Sequence, residues 1–298
     1  MTRNESDSAD DQVNPTQVAS IEAETATLGA AMEQCVAVLR HRPCGLFTDF
    51  DGTLSPLADT PNTAVIHPGA QEALRSLDAS LDLLAIVTGR SADVAERLVG
   101  LPQLLYIGNH GLERRFRGEH TAHPAGLAAS HGVTAALVEI AEVVQAHIPS
   151  EGLLFEDKRL SGSVHYRQVD DPTTAQRHIL EAALAAAERH GLVVSEGRRI
   201  VELRPRAPVN KGTAIVDLIE HHGLQGVLFF GDDVTDIDGF RALRTYREQA
   251  GIDALNIGIA SPESPPDLFE TSDIIVQGVD ACADLLAAIA ESLSSDGE

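Results

Sequence analysis

The sequence predicts an α/β fold, a mostly parallel sheet with a smaller α+β unit inserted into it, on three observations. Short apolar runs recur at residues 45–47, 81–87, 104–107 and 226–230, and each ends in polar residues. Segments with apolar residues at helical spacing separate these runs, the alternation expected of parallel strands joined by helices. Between residues 113 and 206 the pattern changes to short strands flanking long helices, which reads as an insertion.

In chain order, Met1 to Pro15 is acidic and rich in small residues, a composition that cannot bury a core and predicts disorder. From Thr16 to Arg40, Ile21, Leu28, Met32, Val36 and Leu39 fall at helical spacing and predict an amphipathic lead-in helix. The run Gly45-Leu46-Phe47 then leads into Asp49 and Asp51, and Gly52-Thr53 turns the chain away. A helix over Gly69–Asp78 and a strand over Leu81–Val87 follow, the strand ending in Thr88-Gly89-Arg90. Ser91 is placed to cap a helix running through Leu98. A third strand, Leu104–Ile107, ends in Gly108-Asn109-His110-Gly111.

The insertion is expected to hold helices over Val133–His147 and Thr173–His190, with strands at Leu153–Phe155, Ser163–Arg167, Val193–Val194 and Ile200–Leu203. The sheet pattern resumes with a helix starting at Lys211 and the strand Gly226–Phe230, which ends in Gly231-Asp232-Asp233. A helix over Ile237–Gln249, short strands near Leu255–Ile257 and Asp273–Val276, and a helix from Ala281 complete the chain. The expected division is an arm and lead-in helix at 1–40, a core at 41–112 with 207–298, and an inserted unit at 113–206.

Composition narrows the partners. A net charge of −23 argues against nucleic acid, and any anionic substrate must be held by a local cationic site against the overall field. Lys158 and Lys211 are the only lysines. An acid-rich, lysine-poor surface suits high salt, and a GC-rich coding bias produces the same shortage. No apolar run approaches the roughly 18 unbroken residues of a membrane helix, and the polar start is unlike a secretory leader, so the expectation is a cytoplasmic protein without a membrane partner. Cys35, Cys44 and Cys282 have no metal-ligand spacing and indicate no disulfide framework.

Chemistry concentrates at the ends of the predicted strands. Asp49 and Asp51, two apart on extended backbone, project the same way at the carboxyl edge of a sheet, where open α/β folds bind ligands. Two acids there repel unless a cation or a shared proton relieves them. Asp232 and Asp236, four apart at a helix start, can share a face and hold a hard cation such as Mg²⁺. Lys211 adds a point charge at a second helix start. Taken singly these residues have ordinary readings: Asp236 as a helix cap, Thr88-Gly89 as a turn, Arg90 as an ion-pair partner. Together they supply the parts that phosphoryl transfer requires.

The strings Asp49-Phe50-Asp51-Gly52-Thr53, Thr88, Lys211 and Gly231-Asp232-Asp233-Val234-Thr235-Asp236 resemble the four motifs of the haloacid dehalogenase superfamily of phosphatases. Val87-Thr88-Gly89-Arg90, Gly108-Asn109-His110-Gly111, Glu156-Asp157-Lys158, Ser163-Val164-His165-Tyr166-Arg167, Val201-Glu202-Leu203-Arg204-Pro205 and Asn210-Lys211-Gly212 extend the resemblance to the trehalose-6-phosphate phosphatase family, over about residues 43–290.

That resemblance implies a Rossmann-like parallel-sheet core of the haloacid dehalogenase type with the insertion as a movable α+β cap. It implies Mg²⁺-dependent hydrolysis of a sugar phosphate, trehalose 6-phosphate, through an aspartyl-phosphate. Asp49 is then the nucleophile and Asp51 the acid and base, while Thr88 and Lys211 hold the phosphoryl oxygens. The metal falls to Asp49, the Asp51 carbonyl, Asp232 and Asp236. Substrate contacts are implied for Arg90, Asn109, His110, Glu156, Lys158, Arg167 and Glu202. Other sugar phosphates, such as sucrose phosphate or mannosylphosphoglycerate, remain open, as do a non-catalytic sensor role and association with a trehalose-6-phosphate synthase. The sequence departs from the family where Thr88 and Asn109 stand for Ser, and where Ile237 and Gly239 stand for Glu and Ala. Threonine keeps the hydroxyl donor, whereas Ile237 removes a charge near the metal loop.

Overall fold

A computed structural model describes residues 27–295. The predicted disorder at Met1–Pro15 and the first part of the lead-in helix lie outside the described residues. The rest of that helix is α1 (Leu28–Leu39), capped by the Thr27 side chain.

Two sheets organise the chain. The larger has eight strands in the order β12-β11-β10-β1-β2-β3-β4-β5. Its strands β1 (Cys44–Thr48), β2 (Leu83–Val87), β3 (Leu105–Gly108), β10 (Gly226–Gly231), β11 (Asp253–Ala260) and β12 (Ile274–Gln277) pair in parallel, and the hairpin of β4 (Glu113–Phe116) and β5 (Glu119–Ala122) adds an antiparallel edge. Strand side chains alternate faces, so one layer buries Leu46, Leu84, Ile86, Leu228 and Phe230 and the other Phe47, Ala85, Val87, Val227 and Phe229. The first layer packs against α1, α2 (Pro68–Asp78), α3 (Ala92–Val99) and α9 (Gly278–Ser295); the second packs against α6 (Lys211–His222), α7 (Val234–Ala250) and α8 (Pro266–Thr271). Burial on both faces is why these strands read as continuous apolar runs.

The smaller sheet is antiparallel, in the order β6-β7-β9-β8, with β6 (Leu154–Asp157), β7 (Gly162–His165), β8 (Leu192–Gly197) and β9 (Ile200–Pro205). Helices α4 (Pro124–Gln145) and α5 (Pro172–His190) bury Val133, Leu137, Ile140, Ile179 and Ala183 against Val164, Val201 and Leu203.

Two expectations need correction. The inserted unit was expected to begin at 113, but residues 113–122 extend the larger sheet. Helix α4 starts nine residues before the expected Val133, with Pro124 at its first turn and the His123 ring accepting from the Ala125 N–H. That longer helix is apolar and long enough to cross a membrane by length and composition alone, although His131, Thr134, Glu139 and Glu142 interrupt its apolar residues and one face is buried in the inserted unit.

Candidate active site

The carboxyl ends of β1, β2, β3 and β10 place Asp49, Thr88, Asn109 and Asp232 along one edge of the larger sheet. At β1 the ladder reaches Asp49, whose N–H donates to Phe230 O at 2.9 Å. Gly52, at φ +81, then lets the loop pass Asp232 so closely that a Cβ there would meet Asp232 Oδ2 at 2.1 Å.

Lys211 opens α6 behind Asn210, whose side chain and Thr213 form a reciprocal cap. Its ammonium is buried, with Nζ 2.8 Å from Asp49 Oδ1 and 2.7 Å from Asp236 Oδ1. The other Asp236 oxygen accepts from the N–H groups of Asp232 and Asp233, both at 3.1 Å, so Asp236 caps α7 and joins the cluster at once. Thr53 Oγ1 donates to Asp232 Oδ1 at 3.2 Å.

Asp49, Asp232 and Asp236 present carboxylate oxygens within 4.8 Å of one another, all buried. Burial pushes Asp49 up to about 7, with the Asp236 and Asp51 charges adding to it and Lys211 opposing. Burial, then Asp236 and Asp49, pushes Asp232 well above the usual carboxylate range. For Lys211 burial opposes the charge, but Asp236 and Asp49 outweigh it, so the lysine stays protonated and the acids compete for it. Hard oxygen donors repelling one another in a dry pocket fit a divalent cation such as Mg²⁺, which would restore their ionised forms.

Asp51 lies farther out, where Arg90 grips it in a fork: Nε donates to Oδ2 at 2.6 Å and Nη2 to Oδ1 at 2.7 Å. The remaining Arg90 nitrogen donates to Pro61 O, and the guanidinium lies 5.4 Å over the Phe50 ring. Arg90 therefore acts first on Asp51, with its expected substrate contact confined to the shared cavity wall.

The smaller sheet closes this cavity from the other side. Lys158 Nζ donates to Gly89 O on the larger sheet and to Glu202 Oε1, both at 3.1 Å, and His110 Nε2 lies 3.0 Å from Glu202 Oε2. Burial holds His110 below its ordinary range, with Glu202 opposing. Burial alone would raise Glu202, but His110, then Lys158 and Arg204, hold it well below the usual carboxylate range. Glu156 pairs with His165 at 3.0 Å.

One cavity is lined by Asp49, Asp51, Thr88, Arg90, His110, Glu156, Lys158, Arg167, Glu202, Lys211 and Asp232 together. Asn109 is not on its wall. It is fully buried; its amide nitrogen donates to Glu113 Oε1 at 2.7 Å and to Lys158 O at 3.4 Å, and Ser161 Oγ donates to its oxygen. Asn109 and His110 are consecutive non-glycine residues at positive φ, 49° and 57°, held by bonds from their N–H groups to Arg90 O and Thr88 O. Such paired strain persists only where the surroundings fix it.

Two residues escaped the sequence reading. Glu113 accepts from the Ala92 N–H at 2.8 Å, from Asn109 and from His120, tying the start of α3 to the turn after β3. Arg198, between β8 and β9, reaches Asp232. Proximity to the Gly108–Gly111 string could have flagged Glu113; nothing local marks Arg198.

The trehalose-phosphatase family model matches residues 47–264. The trehalose-phosphate phosphatase of Mycobacterium tuberculosis is 36% identical over 205 residues, covering 67% of this chain and 51% of that protein, so the chain spans about half the length of the curated relatives it matches. The C-terminal domain of C. albicans trehalose-6-phosphate phosphatase is similar in structure, with a TM-score of 0.72 at 20% identity over 90% of this chain and 97% of that one. The C-terminal domain of the Candida albicans trehalose synthase regulatory protein gives a TM-score of 0.60 at 14% identity, over 89% and 98%. At these identities the two structures speak to the fold alone, and one is named a phosphatase, the other a regulatory protein.

Proposed function

The chain belongs to the trehalose-phosphatase family, and from that premise we propose that it hydrolyses trehalose 6-phosphate to trehalose and phosphate. Asp49 attacks phosphorus, forming an aspartyl-phosphate while the bond to the sugar oxygen breaks. Asp51, once released from the Arg90 fork and carrying a proton taken from solvent, gives that proton to the leaving oxygen and then takes one from the water that cleaves the acyl phosphate. Lys211 and Thr88 hold phosphoryl oxygens in place. Asp49, the Asp51 carbonyl, Asp232 and Asp236 would hold Mg²⁺, which supplies positive charge against the phosphate oxygens when bound.

The smaller sheet with α4 and α5, about residues 123–206, serves in this reading as a cap over the sugar. Glu156, Lys158 and Glu202 grip hydroxyls, and Arg167 and His110 complete that wall. A site built from such groups rejects substrates that leave them unpaired. The observation that carries the reading is that these side chains line the same cavity as Asp49, Asp51 and Lys211. A regulatory protein of the same fold has no need of the nucleophile, acid and lysine together, and all three are present here.

The test separates sugar recognition from chemistry. Glu156→Gln and Glu202→Gln should raise KM for trehalose 6-phosphate by ~10²-fold or more while sparing an aryl phosphate. Equal loss on both substrates would remove the sugar-recognition role.

A further inference from the structure

Arg198 belongs to the smaller sheet, in the turn between β8 and β9, yet its guanidinium ends among the carboxylates of the larger one. Nη1 lies 2.9 Å from Asp232 Oδ2, Nη2 donates to the Asp232 carbonyl at 2.6 Å, and Nε lies 3.5 Å from Asp233 Oδ1. The side chain is 12% exposed, and Nε has no hydrogen-bond acceptor. Arg167 Nη2 donates to the Arg198 carbonyl at 3.3 Å, bracing the turn, and Arg199 follows at φ +61.

We propose that Arg198 is a stand-in cation for the metal site, holding Asp232 until a divalent ion competes for it and tying the smaller sheet to the larger meanwhile. The inference rests on the reading that the three-carboxylate cluster binds such an ion. Asp49, Asp232 and Asp236 carry three negative charges when ionised, and Lys211 neutralises one. Arg198 removes a second, leaving the cluster one charge short of balance. A divalent ion held by Asp232 needs the oxygen that Arg198 Nη1 already occupies at 2.9 Å, and it brings its charge up against the guanidinium. The guanidinium and the ion therefore oppose each other at Asp232, as like charges do at short range in a site of low dielectric. Arriving phosphate, itself doubly negative, is the group that lets both cations remain. Arg198 lines the cavity beside Asp232, so release from the carboxylate leaves it facing that phosphate.

The experiment is Mn²⁺ binding by the full chain at pH 7.5 without substrate, followed by calorimetry. Arg198→Met keeps the stem and removes the charge, and should bind Mn²⁺ on the order of tenfold tighter than wild type. Arg198→Lys keeps the charge and should stay within about twofold of wild type. Asp232→Asn should lose binding. Unchanged or weaker binding by Arg198→Met, or no dependence of wild-type binding on Asp232, overturns the proposal. Amide exchange in wild type gives a second reading independent of any variant's folding: the turn at 197–199 should exchange faster with Mn²⁺ bound, and unchanged exchange counts against it. Mn²⁺ binding as expected in a protein that turns over no sugar phosphate would keep this inference and remove the function proposed above.

Discussion

Lys211 Nζ stands 2.8 Å from Asp49 Oδ1, joining the first residue of α6 to the residue that follows β1. The same ammonium reaches Asp236, so one buried cation holds together two helix starts and a strand end. Removing it leaves two buried carboxylates without their counter-charge. Lys211→Met should lower unfolding free energy by ~3–5 kcal/mol in metal-free buffer, read from urea midpoints. It should also lower kcat by ~10²-fold or more, because a fixed charge at the phosphoryl oxygens is lost.

Gly52→Ala tests the close passage of the β1 loop over Asp232. The added carbon would meet Asp232 Oδ2 at 2.1 Å, at a φ of +81 that an alanine adopts only under strain. Backbone strain of this kind costs about 1–3 kcal/mol, and Asp232 must move. The wild-type melting temperature should rise with Mg²⁺, whereas the variant's should not respond. A variant that keeps the Mg²⁺ response would show that the close passage at Gly52 does not set the position of Asp232.

Glu113 should behave as a support for the site although it lies off the cavity wall. It satisfies the Ala92 N–H and the Asn109 amide, and Asn109 in turn holds Lys158 O and Ser161 across the two sheets. Glu113→Ala leaves buried donors unpaired, at about 1–3 kcal/mol each. Denaturation should register that loss, and KM for the sugar phosphate should rise more than kcat falls, because the displaced loop carries Lys158.

His110 sets a pH dependence. Burial lowers its pKa, with Arg204 and Lys211 adding to the effect and Glu202 opposing; Lys158 shares the same carboxylate. The unfolded chain takes up the proton first as pH falls, since its histidine titrates near 6.5. Stability from His110 is thus present above about pH 6.5 and is lost as pH falls below it. Glu202, held low, also contributes stability that acid removes, but only as pH falls below the ordinary carboxylate range toward its own depressed value. Urea midpoints between pH 7.5 and 5.5 should fall more steeply for wild type than for His110→Asn. Parallel slopes would mean that His110 titrates alike in the folded and unfolded protein, and a shallower wild-type slope that it is charged in the folded one.

The central strands were legible because β1, β2, β3 and β10 are buried on both faces and carry little but apolar residues. The edge hairpin was not. Glu113-Arg114-Arg115-Phe116 and Glu119-His120-Thr121-Ala122 are polar strands at the sheet's margin, so their pairing with β3 left no apolar signal and the insertion seemed to start ten residues early. Asp49, Asp232 and Lys211 announced themselves through local spacing at strand and helix ends. Arg198 could not, since its partner is brought to it only by the packing of one sheet on the other. Asn109 was placed at the right turn but with the wrong contacts, because its left-handed backbone turns the amide inward to Glu113.

The most direct test is phosphate release by the purified protein from trehalose 6-phosphate, sucrose 6-phosphate, glucose 6-phosphate and an aryl phosphate, each with Mg²⁺ and with chelator. Chelator-sensitive turnover largely confined to trehalose 6-phosphate, and abolished by Asp49→Asn, is the result predicted here. Binding of the sugar phosphate without turnover of any of the four would contradict it.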